Sequence, residues 1–203
     1  MKKIAILAAS VAAFAATPAF AQDEAKPVSF QVGAIGGYDS IKFSAAGDSE
    51  STDDAMYGIT AGVDFNLGGA FVGAEAEWSD SEVGESIEDA FVAGDELSLG
   101  AGRTLYAGAR LGANVSENAK LYVKGGYVNT KIDGAYDNGT TTVSDSEEID
   151  GFLLGAGVDL KLNPVIVRVE YRYSDYGELD LGGFATGVDA SRHQVVAGLL
   201  FGF

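Results

Sequence analysis

The chain has 203 residues, with 30 Asp and Glu against 13 Lys and Arg, for a formal net charge of −17. A surface this acidic repels phosphate and excludes nucleic-acid binding, while 47% hydrophobic residues exclude an acidic disordered chain. With no Cys and one His there is no disulfide frame, no thiolate ligand and too few donors for a zinc centre, so neither metal nor cofactor is expected.

Residues 1–21 read as an address. Lys2 and Lys3 precede an apolar run from Ile4 to Ala16, and Ala19-Phe20-Ala21 offers a small-x-small cleavage site. This is the pattern of a secretory signal peptide, too short for a spanning helix. The mature chain, 22–203, is expected to begin at Gln22.

From Val28 onward the dominant period is two, the period of a strand with unlike faces. Eight runs follow one another. In the third, Val72, Ala74, Ala76 and Trp78 alternate with Gly73, Glu75, Glu77 and Ser79. In the fourth, Leu105, Ala107, Ala109 and Leu111 alternate with Tyr106, Gly108, Arg110 and Gly112. In the seventh, Val167, Val169, Tyr171 and Tyr173 alternate with Arg168, Glu170, Arg172 and Ser174. Short turns are expected at about 67–69, 116–118 and 163–164. Long loops are expected at 44–55, 80–96, 133–148 and 176–190, all at one end of an up-and-down meander. Pro27 and Pro164 fall outside the runs, as a fully paired sheet requires.

Alternation alone does not say which face is inside. Three features favour charges inward and apolar residues toward lipid. Glycine recurs on the charged face, where it makes room for a neighbouring long side chain. Aromatics such as Tyr38, Phe65, Trp78, Tyr127, Tyr171 and Phe201 sit near strand ends, with Ala, Val and Leu between them. The charged face is balanced although the chain is not: Asp39, Asp64, Glu75, Glu77, Asp159 and Glu170 face Arg110, Lys124, Lys161, Arg168, Arg172 and Arg192. A dry lumen requires that balance. The expected fold is all-β, an eight-stranded antiparallel up-and-down transmembrane β-barrel. Its interior is just wide enough for side chains to fill. Glu75, Glu77, Arg110, Lys124, Arg168, Glu170 and Arg172 are therefore expected to join in one lumen ion-pair network.

The chain ends Val195-Val196-Ala197-Gly198-Leu199-Leu200-Phe201-Gly202-Phe203, with Val195, Leu199, Phe201 and Phe203 on the outward face. This resembles the C-terminal signature of Gram-negative outer-membrane β-barrels. Residues 167–177 and 122–127 are similar to strands of the small porin-like, opacity-protein and OmpA-type barrels. The resemblance implies a cell outer-membrane location, contact with outer-membrane lipid and lipopolysaccharide, and reading of the terminal Phe by the barrel-assembly machinery. It also implies a structural, surface-exposed role in adhesion or envelope integrity.

Two other functions remain open at this point. A narrow porin-like channel for small solutes needs a wet path through the lumen. A lipid-modifying enzyme would use Ser191 and the sole histidine, His193, on the outer face, but no carboxylate is clearly placed to orient the imidazole, and no enzyme is expected. The long loops hold about 21 of the 30 acids, including strand-end residues. They form a solvated crown and a candidate contact for divalent cations or an extracellular ligand, although no Asp-x-Asp-x-Asp-Gly spacing occurs.

Overall fold

The computed structural model describes residues 27–203 apart from 46–47, 82–83, 89–91, 93, 140 and 182–183. The expected signal peptide lies outside the described residues. The strands are β1 (Val28–Ala45), β2 (Asp48–Asn66), β3 (Ala70–Ser81), β4 (Gly84–Glu88), β5 (Glu96–Ser116), β6 (Ala119–Asp137), β7 (Thr142–Lys161), β8 (Val165–Leu181) and β9 (Phe184–Gly202). All pairings are antiparallel. β3 and β4 both pair with β5 and occupy one stave, so the barrel has eight. β3 also pairs with β2, and β9 pairs with β1, which closes the sheet. Closure is sealed at the end of the chain, where Phe203 and Phe30 exchange two backbone hydrogen bonds of 3.0 Å and stack their rings.

The side-chain alternation sets what lies inside. Along β3 every second residue is buried: Phe71, Gly73, Glu75, Glu77 and Ser79 point inward while Val72, Ala74, Ala76 and Trp78 point out. The same parity buries Asp64, Arg110, Tyr122, Lys124, Asp159, Arg168, Glu170, Arg172, Arg192 and Gln194. The exposed set is apolar, with Ile59, Leu105, Leu111, Leu121, Val169, Val195 and Leu199 among it. Four exposed phenylalanines gather at the short-turn end (Phe30, Phe65, Phe201, Phe203), while Phe152 stands opposite Tyr127 at the other. Tyr38, Tyr57, Trp78, Tyr127 and Tyr171 gather there with it. Such a band between aromatic girdles is what a barrel presents to lipid. Lumen glycines make room, as two positions show. A Cβ on Gly157 would lie 2.6 Å from the Tyr122 hydroxyl, and one on Gly108 would lie 2.3 Å from the Tyr106 hydroxyl.

Two expectations need correction. Lys161, counted among the inward cations, is exposed at the short-turn end; the inward cation there is Lys120. The lumen is also not wholly polar, because Ile35, Met56, Val128, Leu153, Val196 and Leu200 are buried in it. Their parity is inward, but an apolar residue inside a barrel carries no contrast with the lipid-facing residues beside it.

The long connections also differ from expectation. In segments 44–55, 80–96, 133–148 and 176–190 most of the described residues are strand. Pairing continues to Ala45↔Asp48, Glu88↔Glu96, Asp137↔Thr142 and Leu181↔Phe184. A sheet with water on both sides needs no apolar face, so its residues show no hydrophobic period to read. The cylinder nevertheless stops being closed partway up. Register shifts occur between Ala101 and Thr104 on β5 and between Asp175 and Gly177 on β8. Gly177 has φ 66, a left-handed conformation that suits glycine. Beyond these bulges no ladder joins β2 to β4 or β7 to β8 among the described residues. Two four-stranded sheets rise instead, β2-β1-β9-β8 and β7-β6-β5-β4. In barrels of this type the longer connections face the cell exterior.

Ala109 is exposed near the middle of the lipid-facing part of β5. Ala109→Arg is expected to lower folding stability in liposomes by ~2–4 kcal/mol. Val143→Arg, on the exposed upper hairpin, is expected to leave it nearly unchanged. Denaturant titration of the two variants checks the assignment of the outer face.

Candidate functional site

The lumen is the place where this fold concentrates chemistry. Glu75 on β3 lies at its centre. One carboxylate oxygen accepts from Lys124 Nζ at 2.8 Å. The other accepts from Arg110 Nη1 at 2.9 Å and Arg168 Nη1 at 2.6 Å. Asp159 takes a second bond from Arg110 (2.7 Å) and two from Arg168 (2.8 and 3.0 Å). Two residues along β3, Glu77 is gripped by both terminal nitrogens of Arg172 at 2.5 and 2.8 Å. Lys124 Nζ lies 2.8 Å from Glu170 and 3.8 Å from Glu77. Arg172 and the Tyr122 hydroxyl also donate to Glu170. At the lower end Lys120 pairs with Asp64 at 3.1 Å, and Asp64 lies 3.4 Å from Arg110 Nε.

These ten charges balance, with Asp64, Glu75, Glu77, Asp159 and Glu170 against Arg110, Lys120, Lys124, Arg168 and Arg172. β3 and β8 are opposite staves of the eight, so the Glu75–Arg168 and Glu77–Arg172 pairs cross the full lumen. Aromatic faces complete the solvation of the cations. The Arg110 guanidinium lies 4.2 Å from the Tyr122 ring centre, and Lys124 lies 4.5 Å from that of Tyr106.

All seven lumen residues singled out from sequence thus meet in one network. The sequence reading missed Asp64, Asp159, Lys120 and Tyr122 as members. Asp64 and Asp159 were on the correct face; their proximity to Arg110 and Arg168 depends on barrel shear, which one strand does not show.

A second polar plate lies nearer the exterior. Arg192 Nε donates to both oxygens of Asp39 at 2.8 and 3.0 Å, and Arg192 Nη1 donates to the Thr104 hydroxyl at 2.8 Å. Ser81 donates to Asp39 at 2.7 Å. Hydroxyl contacts continue from Thr104 to Thr130 (3.1 Å) and on to Tyr176 (2.8 Å). Between the plates sit two apolar clusters, Ile35, Met56 and Val196 on one wall, and Tyr106, Val128 and Leu153 on the other.

Outside, His193 belongs to the upper girdle. Its Nδ1 lies 2.8 Å from the Tyr171 hydroxyl, and its ring centre lies 5.0 Å from that of Tyr173. Ser191 lies opposite Asp175 in the ladder, and the Asp175 carboxylate accepts the Gly177 N–H at 2.9 Å. A phenol, not a carboxylate, therefore contacts the imidazole. Val195, Leu199, Phe201 and Phe203 are all exposed on the lipid face. At the tip of the β6–β7 hairpin, the Thr142 hydroxyl and Gly139 N–H hold the Asp137 carboxyl below the usual carboxylate range. No three metal-ligating side chains converge among the described residues.

A closed eight-stave barrel with a lipid-facing exterior and a charged interior is an outer-membrane β-barrel. Residues 6–201 match the family model of the outer membrane protein beta-barrel domain, and the chain belongs to that family. Its location is the cell outer membrane. Among solved structures it is similar to Neisserial surface protein A, with 16% identity and a TM-score of 0.51 over 85% of this chain and 96% of that one. It is also similar to Ail, the attachment invasion locus protein of Yersinia pestis, solved with the heparin analogue sucrose octasulfate (14%, TM-score 0.49, 85% and 99%). The N-terminal β-barrel domain of Pseudomonas aeruginosa OprF gives 14% identity and a TM-score of 0.43 over 84% and 99% of the two chains. No curated protein gives a sequence match.

Glu75 holds three cations, so Glu75→Gln is expected to destabilise the barrel by about 3–5 kcal/mol by stranding buried charge. Asp54→Asn, on the exposed upper part of β2, is expected to have little effect. A double-mutant cycle between Glu77 and Arg172 should show strong positive coupling, and one between Glu77 and Lys120, which do not touch, should show much less. Deleting Phe203 removes both backbone bonds to Phe30 and is expected to reduce the folded, SDS-resistant fraction at room temperature.

Proposed function

We propose that this protein is a non-enzymatic, structural outer-membrane barrel that displays acidic hairpins at the cell surface and serves adhesion or envelope integrity. The observation that carries this reading is the pair of ion bridges crossing the lumen, Glu75–Arg168 and Glu77–Arg172, on side chains that are essentially fully buried. A lumen filled from opposite walls leaves no wide path for solute, and the second plate at Asp39 and Arg192 closes the outer mouth. With the interior occupied, the part left to meet a partner is the surface above the membrane. The sheets there rise well beyond the 9–11 residues or so that a tilted strand needs to cross; β5, for example, spans Glu96–Ser116.

Single-channel recording of the purified barrel in a planar bilayer tests this. The wild type is expected to show no steady conductance. Glu77→Ala alone is expected to stay closed, because the apolar clusters and the outer plate still block the path. Glu77→Ala combined with Arg192→Ala and Met56→Ser is expected to give openings. Large steady currents from the wild type would favour a narrow channel for small solutes instead.

A further inference from the structure

The split of the barrel above its bulges leaves strand edges without neighbours. The upper part of β7, residues 142–150, pairs with β6 on one side. On the other side it meets no strand among the described residues, because the β7–β8 ladder begins at Phe152↔Asp175. In an antiparallel strand, alternate residues turn their N–H and C=O to opposite sides. About half the backbone groups of this run therefore point to an open edge, which is a template for an added strand. The run contains neither Pro nor Gly nor a cation, and apart from half-buried Ile149 its side chains are exposed.

Its two faces differ. On one, Glu148 pairs with Arg103 at 2.7 Å, and Asp150 accepts from Asn129 at 2.9 Å. On the other, Asp145 and Glu147 stand two residues apart, and neither meets a cation among the described residues. Among the described residues Asp145 accepts the N–H of Ser146, at 2.8 Å. A second copy of this edge would set carboxylate against carboxylate, which opposes self-pairing. An anionic headgroup would be repelled in the same way.

We infer that the β7 edge is a docking site for an extended cationic polypeptide segment. The segment adds as a strand to the β7-β6-β5-β4 sheet, with Lys or Arg at alternate positions facing Asp145 and Glu147. The inference rests on the surface-display reading above and names the class of partner.

The test uses the full barrel in detergent micelles and a fluorescent decapeptide in which Lys alternates with Val. One comparator carries the same charge with two central Val replaced by Pro, and another carries Glu in place of Lys. The Lys–Val peptide is expected to bind and to slow amide hydrogen exchange across residues 142–150. The Pro peptide and the Asp145→Lys/Glu147→Lys variant are each expected to bind about tenfold more weakly or worse, and the Glu peptide not at all. Asp53→Lys/Asp54→Lys on β2 changes the same number of charges on the other sheet and is expected to leave affinity within about twofold. Equal binding of the Pro peptide, or an equal loss in the β2 variant, would reduce the effect to diffuse attraction and overturn strand addition. Self-association of the barrel without peptide would make a second copy the occupant and also overturn it. Heat-modifiable gel mobility confirms that each variant is folded. Bilayer recording on the same preparation separates the two readings: a conducting barrel that still binds peptide sinks only the closed scaffold, and a closed barrel that binds nothing sinks only the docking edge.

Discussion

A chain that crosses hydrocarbon as strands must pair every backbone N–H and C=O within itself, because lipid offers no partner. Here that requirement is met by closing β9 onto β1. Closure at eight staves fixes the rest. The cylinder becomes narrow enough for side chains from opposite walls to touch, and the inward charges find their partners within that cross-section. Charges in such a space are tolerated only as neighbours of opposite charge, and five acids interleave with five bases accordingly. The outward residues have the simpler task of matching lipid, for which Ala, Val and Leu with aromatic ends suffice.

The ion network is more than a filler of equal volume. Replacing a buried ion pair by well-packed apolar residues is often neutral or favourable for stability, so the charges here are not explained by stability alone. Their geometry is specific: a bidentate Arg172–Glu77 clamp, and a single carboxylate at Glu75 reached from three staves. Such an arrangement fixes which staves stand opposite one another. A uniformly apolar lumen would leave neighbouring registers nearly equal in energy. The apolar clusters above it, around Met56 and Leu153, carry no such directional demand.

Much of this was legible in the sequence, and the limits have physical causes. The period of two on the membrane part exposed all eight staves and both faces, because lipid and lumen impose opposite demands on successive residues. The lumen partners of Glu77 were legible as a class, since only an opposite charge satisfies a buried carboxylate. Their identity was not, because Arg172 lies 95 residues away and meets Glu77 only after closure. Lys120 shares the inward parity of Tyr122 and Lys124 and was simply overlooked, whereas Lys161 shares that of Asp159 but stands at the strand's end, where water reaches it. The extended hairpins were mistaken for loops, since water on both faces of a ladder erases the alternation that marked the strands below.

The clasp between Phe30 and Phe203 has a consequence for the life history of the chain. The first and last strands are neighbours, so the pairing that removes the last raw edge joins residues as distant as Gln31 and Gly202. A nascent chain that has not yet reached β9 holds only one half of that seam. A growing chain can form hairpins in order, but each leaves an adhesive border until β9 arrives. Contacts so distant along the chain are slow to form, and borders left open in the meantime invite pairing with the wrong neighbour. The topology thus favours a chain whose borders stay unpaired until β1 and β9 are both at hand beside lipid.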